Sequence, residues 1–173
     1  SAVIPLPVDL AMLVPHLAAI AAAACGYPFA SGVLAGAAFF FNVKGFLVLL
    51  VCLLWAPAKW ARTLAGFAAA AAAGFAALCA ADAWSGYVDK VWRWGVVYAG
   101  SSPVPNPLGH GVARTVNWLG FHALIALGTL VFFLRDRGPW KREAWIWLVI
   151  SAAGVCLGLR FPPRYYFQAL PAV

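Results

Sequence analysis

Apolar residues run along the chain in long stretches, and charged residues fall mostly in the short segments between them. Residues 10–43 carry no formal charge, which is too long for one membrane-spanning helix of about 20 residues. A turn-forming break, Cys25-Gly26-Tyr27-Pro28, divides this stretch in two. The pattern predicts helices near 9–25, 29–43, 45–57, 63–81, 115–134 and 144–160, and a truncated one from about Tyr165.

Composition assigns these helices to a membrane. Hydrophobic residues make up 65% of the 173 residues, charged residues 10%, and mean hydropathy is +0.88. A soluble domain is about half apolar and a quarter charged. We therefore expect an all-α, polytopic transmembrane helical bundle with about six spans, a truncated seventh and an outer interfacial helix, in one domain over residues 1–173.

The basic residues predict the orientation of this bundle. The net charge of +7 is dispersed between helices, which is typical of topology signals and does not favour nucleic-acid binding. Residues 135–142 and the Lys59–Arg62 turn are the basic loops, so they are assigned to the cytoplasm. Counting helices from them places the remaining polar residues on the outer face: Asp9, Lys44, residues 82–114 and Arg160 to Tyr166.

The outer segment itself contains a helical pattern. Its apolar positions recur at helical spacing from Trp84 to Tyr98, while Lys90 and Arg93 occupy other positions. This predicts a helix in the membrane interface, with Lys90 and Arg93 contacting lipid headgroups. The prolines and glycines of residues 103–111 predict an exposed, irregular loop after it.

Cysteine and histidine chemistry is not indicated. The four cysteines lie singly in apolar segments without CxxC spacing, so neither a disulfide framework nor a metal site is predicted. The three histidines are too dispersed to form a ligand pair. No metal and no certain cofactor are expected.

The end of the sequence carries the clearest candidate site. Arg160, Arg164, Tyr165 and Tyr166 precede an apolar segment, where a membrane enzyme would bind a lipid phosphate. The alternative is that the arginines and tyrosines anchor a helix at the interface, and Lys44 could equally extend to the interface from its turn.

A small-residue helix that runs into Lys44-Gly45-Phe46 and a second apolar helix resembles the GT-C glycosyltransferases, which use polyprenyl-phosphate sugars. This group includes protein O-mannosyltransferases and lipid A aminoarabinose transferases. Three further features follow the family's order: Asp9 at an outer helix end, an aromatic outer helix from Tyr87 to Tyr98, and an Arg-Phe-x-x-x-Tyr-Tyr helix start at Arg160. The resemblance covers the middle and later helices of the family.

The resemblance implies transfer of a sugar from a polyprenyl-phosphate donor to an acceptor on the extracytoplasmic face, in a bacterial inner membrane. Lys44, Arg160 and Arg164 would bind the donor phosphate, with Tyr165 and Tyr166 as neutral donors. Asp9 is a weak catalytic candidate.

The family's first-loop carboxylate has no counterpart here, so the chain is expected to be a fragment that is inactive alone. The alternative is a noncatalytic subunit that scaffolds a larger membrane complex with membrane lipids and other subunits as partners. A transporter is disfavoured because charges avoid the helix interiors.

Overall fold

The fold is helical throughout the part of the chain that the structure describes. A computed structural model describes residues 8–100, 104–135, 138–157 and 159–173. The chain divides into two compact units, Ser1–Ser102 and Pro103–Val173, which we call the N-terminal and C-terminal units. The all-α prediction is confirmed, and the single transmembrane domain stays a prediction.

Four helices form the body of the N-terminal unit. The predicted break between the first two is confirmed, because Gly26 has a φ of +80° and Pro28 occupies the first turn of the following helix. A 3₁₀ turn, Pro57–Lys59, leads directly into the fourth helix. The helices are α1 (Val8–Ala24), α2 (Pro28–Phe41), α3 (Gly45–Trp55) and α4 (Trp60–Ala80).

Helices α2 and α4 pack in parallel through small residues. A side-chain carbon at Gly32 would overlap the backbone carbonyl of Thr63, and one at Gly36 would lie 2.6 Å from the Cβ of Ala70. The residue numbers of the contacting positions increase together along α2 and α4, so the two helices run in the same direction. Close backbone approach through glycine and alanine is typical of helix contacts in membranes.

The helix predicted from Trp84 to Tyr98 is present and contains a π-helical turn, and its position in the outer interface stays a prediction. Its three parts are α5 (Trp84–Tyr87), the π-helix Val88–Arg93 and α6 (Trp94–Gly100).

Aromatic rings fix this outer segment to the C-terminal end of α2 and to α4. The ring of Tyr87 lies 6.2 Å from that of Phe40, and Trp84 lies 5.6 Å from Phe75. Phe40 and Phe75 are themselves 5.4 Å apart in an edge-to-face pair. These contacts bring the outer segment to the end of α2 that leads into the Lys44 turn.

Several sequence predictions for the C-terminal unit were wrong. The helix predicted at 115–134 is broken at His122, where the two parts meet at a bend of 93°. The first part begins at Pro107, inside the predicted loop, because the Asn106 side chain accepts a hydrogen bond from the Gly109 N–H and proline suits the first turn. The helices are α7 (Pro107–Phe121), α8 (Ala123–Arg135) and α9 (Lys141–Cys156).

The predicted helices at 144–160 and from Tyr165 also differ. Helix α9 ends at Cys156, and the last residues form 3₁₀ turns at Pro163–Gln168 and Leu170–Ala172. The helix cannot reach residue 160 because the backbone leaves the helical conformation at Leu157, where ψ is 122°, and Leu159 has a φ of +51°.

The lengths of the helices test the prediction of six membrane spans. One helical stretch, Pro57–Ala80, is long and apolar enough to cross a membrane, and the bent pair α7 and α8 passes the same test together. Among the described residues, α2 and α3 are apolar but shorter. The six-span bundle is therefore not confirmed.

Candidate functional site

The segment after α9 has an unusual backbone. Leu159 and Phe161 have φ values of +51° and +49°, in the left-handed region that bulky residues rarely adopt. They flank Arg160, which is half-buried. Such conformations cost of order 1–3 kcal/mol each and cluster at functional sites. We call residues 159–161 the Arg160 turn.

An aromatic cluster fixes this turn to α7. Phe161 and Tyr166 are buried together with Val155 and Ala169, and Trp118 of α7 packs against them. The rings of Trp118 and Tyr166 stack with centroids 5.3 Å apart and an interplanar angle of 26°. The burial of Phe161 and Tyr166 holds the backbone on the C-terminal side of Arg160.

A hydrogen-bond chain lies beside the stacked rings. The Thr115 hydroxyl donates to the carbonyl oxygen of Gly111 at 2.8 Å, and the oxygens of Thr115 and Tyr166 are 2.9 Å apart. Because Thr115 has only one hydroxyl proton, Tyr166 is the donor in the second bond. The Tyr166 phenol is thus bonded within the fold.

Because Gly111 has no side chain, the ring of Phe161 packs directly against α7. A Cβ atom at position 111 would lie 2.6 Å from two atoms of that ring. Gly111, Thr115 and Trp118 are spaced i, i+4 and i+7, so they share one face of α7. Sequence reasoning missed these three residues, although that spacing was the available signal.

The predicted donor-binding residues have different surroundings within the C-terminal unit. Arg160 lies on the strained turn and Tyr165 packs against the edge of the aromatic cluster. Tyr166 is only 4% exposed. The backbone of Arg164 lies in the first 3₁₀ turn, but its side chain lies outside the described part.

Lys44 belongs to the N-terminal unit. Its backbone N–H donates to the side-chain oxygen of Asn42 at 3.0 Å, which closes the turn between α2 and α3. The next residue must be glycine, because a Cβ at Gly45 would overlap the backbone of Ala38 and Phe39. The glycine of the Lys-Gly sequence therefore has a structural cause, and Lys44 is half-buried at that turn.

Lys90 and Arg93 are exposed on their helix, whereas only the backbone of Asp9 is described. Arg93 and Asp89 form an ion pair at 2.6 Å with side chains 75% and 55% exposed, within the π-helical turn that also contains Lys90. Asp9 lies in the first turn of α1, and its side chain falls outside the described residues. Exposed pairs of this kind contribute little to stability.

Two further observations concern metal binding and a buried side-chain amide. No group of three metal-ligating side chains occurs within the described ranges. Gln168 is 6% exposed, and its buried amide nitrogen has no hydrogen-bond partner in the described structure. A buried amide donor without a hydrogen bond lowers the free energy of unfolding, because it has lost its bonds to water. The sequence analysis gave no indication of this group.

Comparison with known proteins adds no relative: no family model, no curated protein and no solved structure matches this chain.

Proposed function

We propose that this protein is a membrane-embedded helical protein that takes part in sugar transfer from a polyprenyl-phosphate donor. In this proposal, the Arg160 turn binds the donor phosphate at the extracytoplasmic surface of a bacterial inner membrane. The observation that carries it is the pair of left-handed residues around Arg160 on a buried aromatic support.

Exposed apolar surface supports the membrane part of the proposal. Only 11% of the apolar window in the helix Pro57–Ala80 is buried, so most of its hydrophobic surface faces outward. Leu124 of α8 is 87% exposed, and Phe121 of α7 is 88% exposed. Apolar area of this extent costs about 25 cal/mol per Å² in water, and a lipid environment removes that cost.

The chemistry of the donor supports the role of the turn. Sugar transfer leaves a polyprenyl phosphate whose charge is stabilised by charge-assisted hydrogen bonds. The guanidinium of Arg160 can donate to two phosphate oxygens at once, and its rigid backbone fixes the direction of approach. Arg164 and Tyr165, which follow Arg160 in the same unit, are proposed to assist. Lys44 remains a candidate for donor binding, and Asp9 a weak candidate for the carboxylate that takes the acceptor's proton, on the sequence resemblance alone.

Binding of undecaprenyl phosphate to the purified protein in nanodiscs tests this function. Arg160→Ala should weaken binding about tenfold, since a hydrogen bond to a charged group contributes about 1.5–3 kcal/mol. Arg160→Lys should recover part of the affinity, because lysine keeps the charge without the planar fork.

Arg62→Ala, at an exposed position of α4, is the matched control and should leave binding unchanged. Equal affinity of wild-type protein and Arg160→Ala would refute the phosphate role.

A noncatalytic scaffold subunit is the second candidate. Helix α8 has no buried residue among its described positions, and Leu127, Leu130 and Leu134 are all more than half exposed. A neighbouring helix could cover this face. Polymer extraction of the protein from its native membrane, followed by measurement of particle mass, should then give a complex heavier than one chain.

A further inference from the structure

The end of α9 away from the Arg160 turn borders a cavity. A cavity of about 240 Å³ lies between α8, α9 and the last 3₁₀ turn. Its helical walls are formed by Gly128, Thr129, Phe132, Phe133, Ala144 and Trp147. The small residues leave the space, and the aromatic rings line it, so that it forms a partly open cavity.

The lining of this cavity suits hydrocarbon. Thr129 provides its one hydroxyl, which donates to the carbonyl oxygen of Ile125 at 3.0 Å and also contacts the carbonyl of Val173. An apolar cavity of about 150 Å³ stays dry and binds benzene. The larger volume here accepts a segment of a hydrocarbon chain.

Cations flank the cavity at the connection between α8 and α9. Arg135 follows Phe132 by three residues, and Lys141 precedes Ala144 by three, so each lies about 5 Å along its helix from the cavity wall. Arg142 adds a side chain that is 65% exposed, and its guanidinium lies 3.7 Å from the carboxylate of Glu143.

We propose that this end of the C-terminal unit binds an anionic phospholipid, with one acyl tail in the cavity and its phosphate at Arg135, Lys141 and Arg142. Basic pockets between helices on the cytoplasmic side bind anionic headgroups, and the positive-inside rule predicts that side for these residues. The site is separate from the Arg160 turn, and its ligand is a membrane lipid instead of the sugar donor.

Native mass spectrometry of the detergent-purified protein with added dioleoyl phosphatidylglycerol tests whether an acyl tail binds in the cavity. Gly128 lines the cavity and no atom lies within 4 Å of a Cβ added there, so a leucine at this position is chosen to occupy the space. Gly128→Leu should weaken binding about tenfold or more, since several methylene groups lose their burial. Gly120→Leu is the matched control, as its Cβ also meets no atom within 4 Å.

Lipids with different headgroups distinguish binding of the headgroup from binding of the acyl chain. Wild-type protein should prefer phosphatidylglycerol to phosphatidylcholine about tenfold, and Arg142→Gln should reduce that preference without weakening phosphatidylcholine binding. Ala144→Leu fills the cavity from α9 and should repeat the effect of Gly128→Leu if the latter variant misfolds. Unchanged binding in both filled variants, no headgroup preference, or displacement of the phospholipid by equimolar farnesyl phosphate would each overturn the proposal.

Discussion

The two units hold their helices together in different ways. In the N-terminal unit, glycines let backbones of α2 and α4 meet directly, with Gly32 against Thr63 and Gly66 against Phe29. In the C-terminal unit, a stacked Trp118–Tyr166 pair and its hydrogen bonds connect α7 to the segment after α9. Two backbones in direct contact leave no room for an added atom, whereas an aromatic ring can move or be replaced by a smaller side chain. We therefore expect substitutions to have larger effects in the N-terminal unit.

The largest effect is expected at Gly66. Leucine there would drive a side chain into the backbone carbonyl of Phe29, which cannot move without separating α2 from α4. We expect a loss of at least about 3 kcal/mol, the upper range for overpacking. Thermal unfolding in detergent measures it, with Gly95→Leu as the control because its Cβ meets no atom within 4 Å. Equal melting temperatures of the two variants would contradict direct backbone packing.

A smaller effect is expected at Gly111, where the obstacle is a ring. Valine should displace Phe161 and destabilise the Arg160 turn by about 1–3 kcal/mol. Trypsin should then cleave after Arg160 faster than in wild-type protein, while Gly120→Val should leave the rate unchanged. An unaltered cleavage rate in Gly111→Val would show that the contact does not hold the turn.

The hydrogen bond between Thr115 and Tyr166 should contribute about 1 kcal/mol. Thr115→Val and Tyr166→Phe each remove one partner and keep the shape. Chemical denaturation of both single variants and the double variant gives a cycle in which the losses should be less than additive. Full additivity would mean that the two hydroxyls do not interact.

The smallest change in stability is expected for Leu159→Gly. Glycine relieves the left-handed strain of about 1–2 kcal/mol but adds about 0.5–1 kcal/mol of unfolded-state entropy. Thermal stability should therefore rise slightly, by about 0–1.5 kcal/mol. If the strain serves to present Arg160, undecaprenyl-phosphate binding should weaken in the same variant, and unchanged binding would limit the strain to a structural role.

The N-terminal helices were predictable because their boundaries have local causes. Charge-free stretches, Pro28 and the Lys44-Gly45 turn mark α1 to α3 to within two residues of the observed helix ends. The bend at His122 has no proline to signal it. There, the backbone N–H of His122 and its ring nitrogen Nδ1 each lie 3.0 Å from the carbonyl of Trp118. This arrangement depends on a side-chain conformation that periodicity does not encode.

The candidate site was predictable only in part. Arg160 and Tyr165 are polar residues next to an apolar stretch, and such placement can be recognised in a sequence. The role of Gly111 depends on the position of Phe161, 50 residues later in the chain, which only tertiary packing determines. The left-handed backbone at Leu159 has no signal either, because leucine disfavours that conformation.

The parallel packing of α2 and α4 has a consequence for depth in the bilayer. Phe40, at the last turn of α2, lies level with Phe75, and α4 continues for five more residues to Ala80. At 1.5 Å per residue, the level of Phe40 therefore lies about 8 Å below the end of α4, and the Lys44 turn, which follows Phe40, lies between these two levels. In a membrane matched to the length of α4, this recess would draw water and phosphate groups beneath the headgroup plane and thin the bilayer locally.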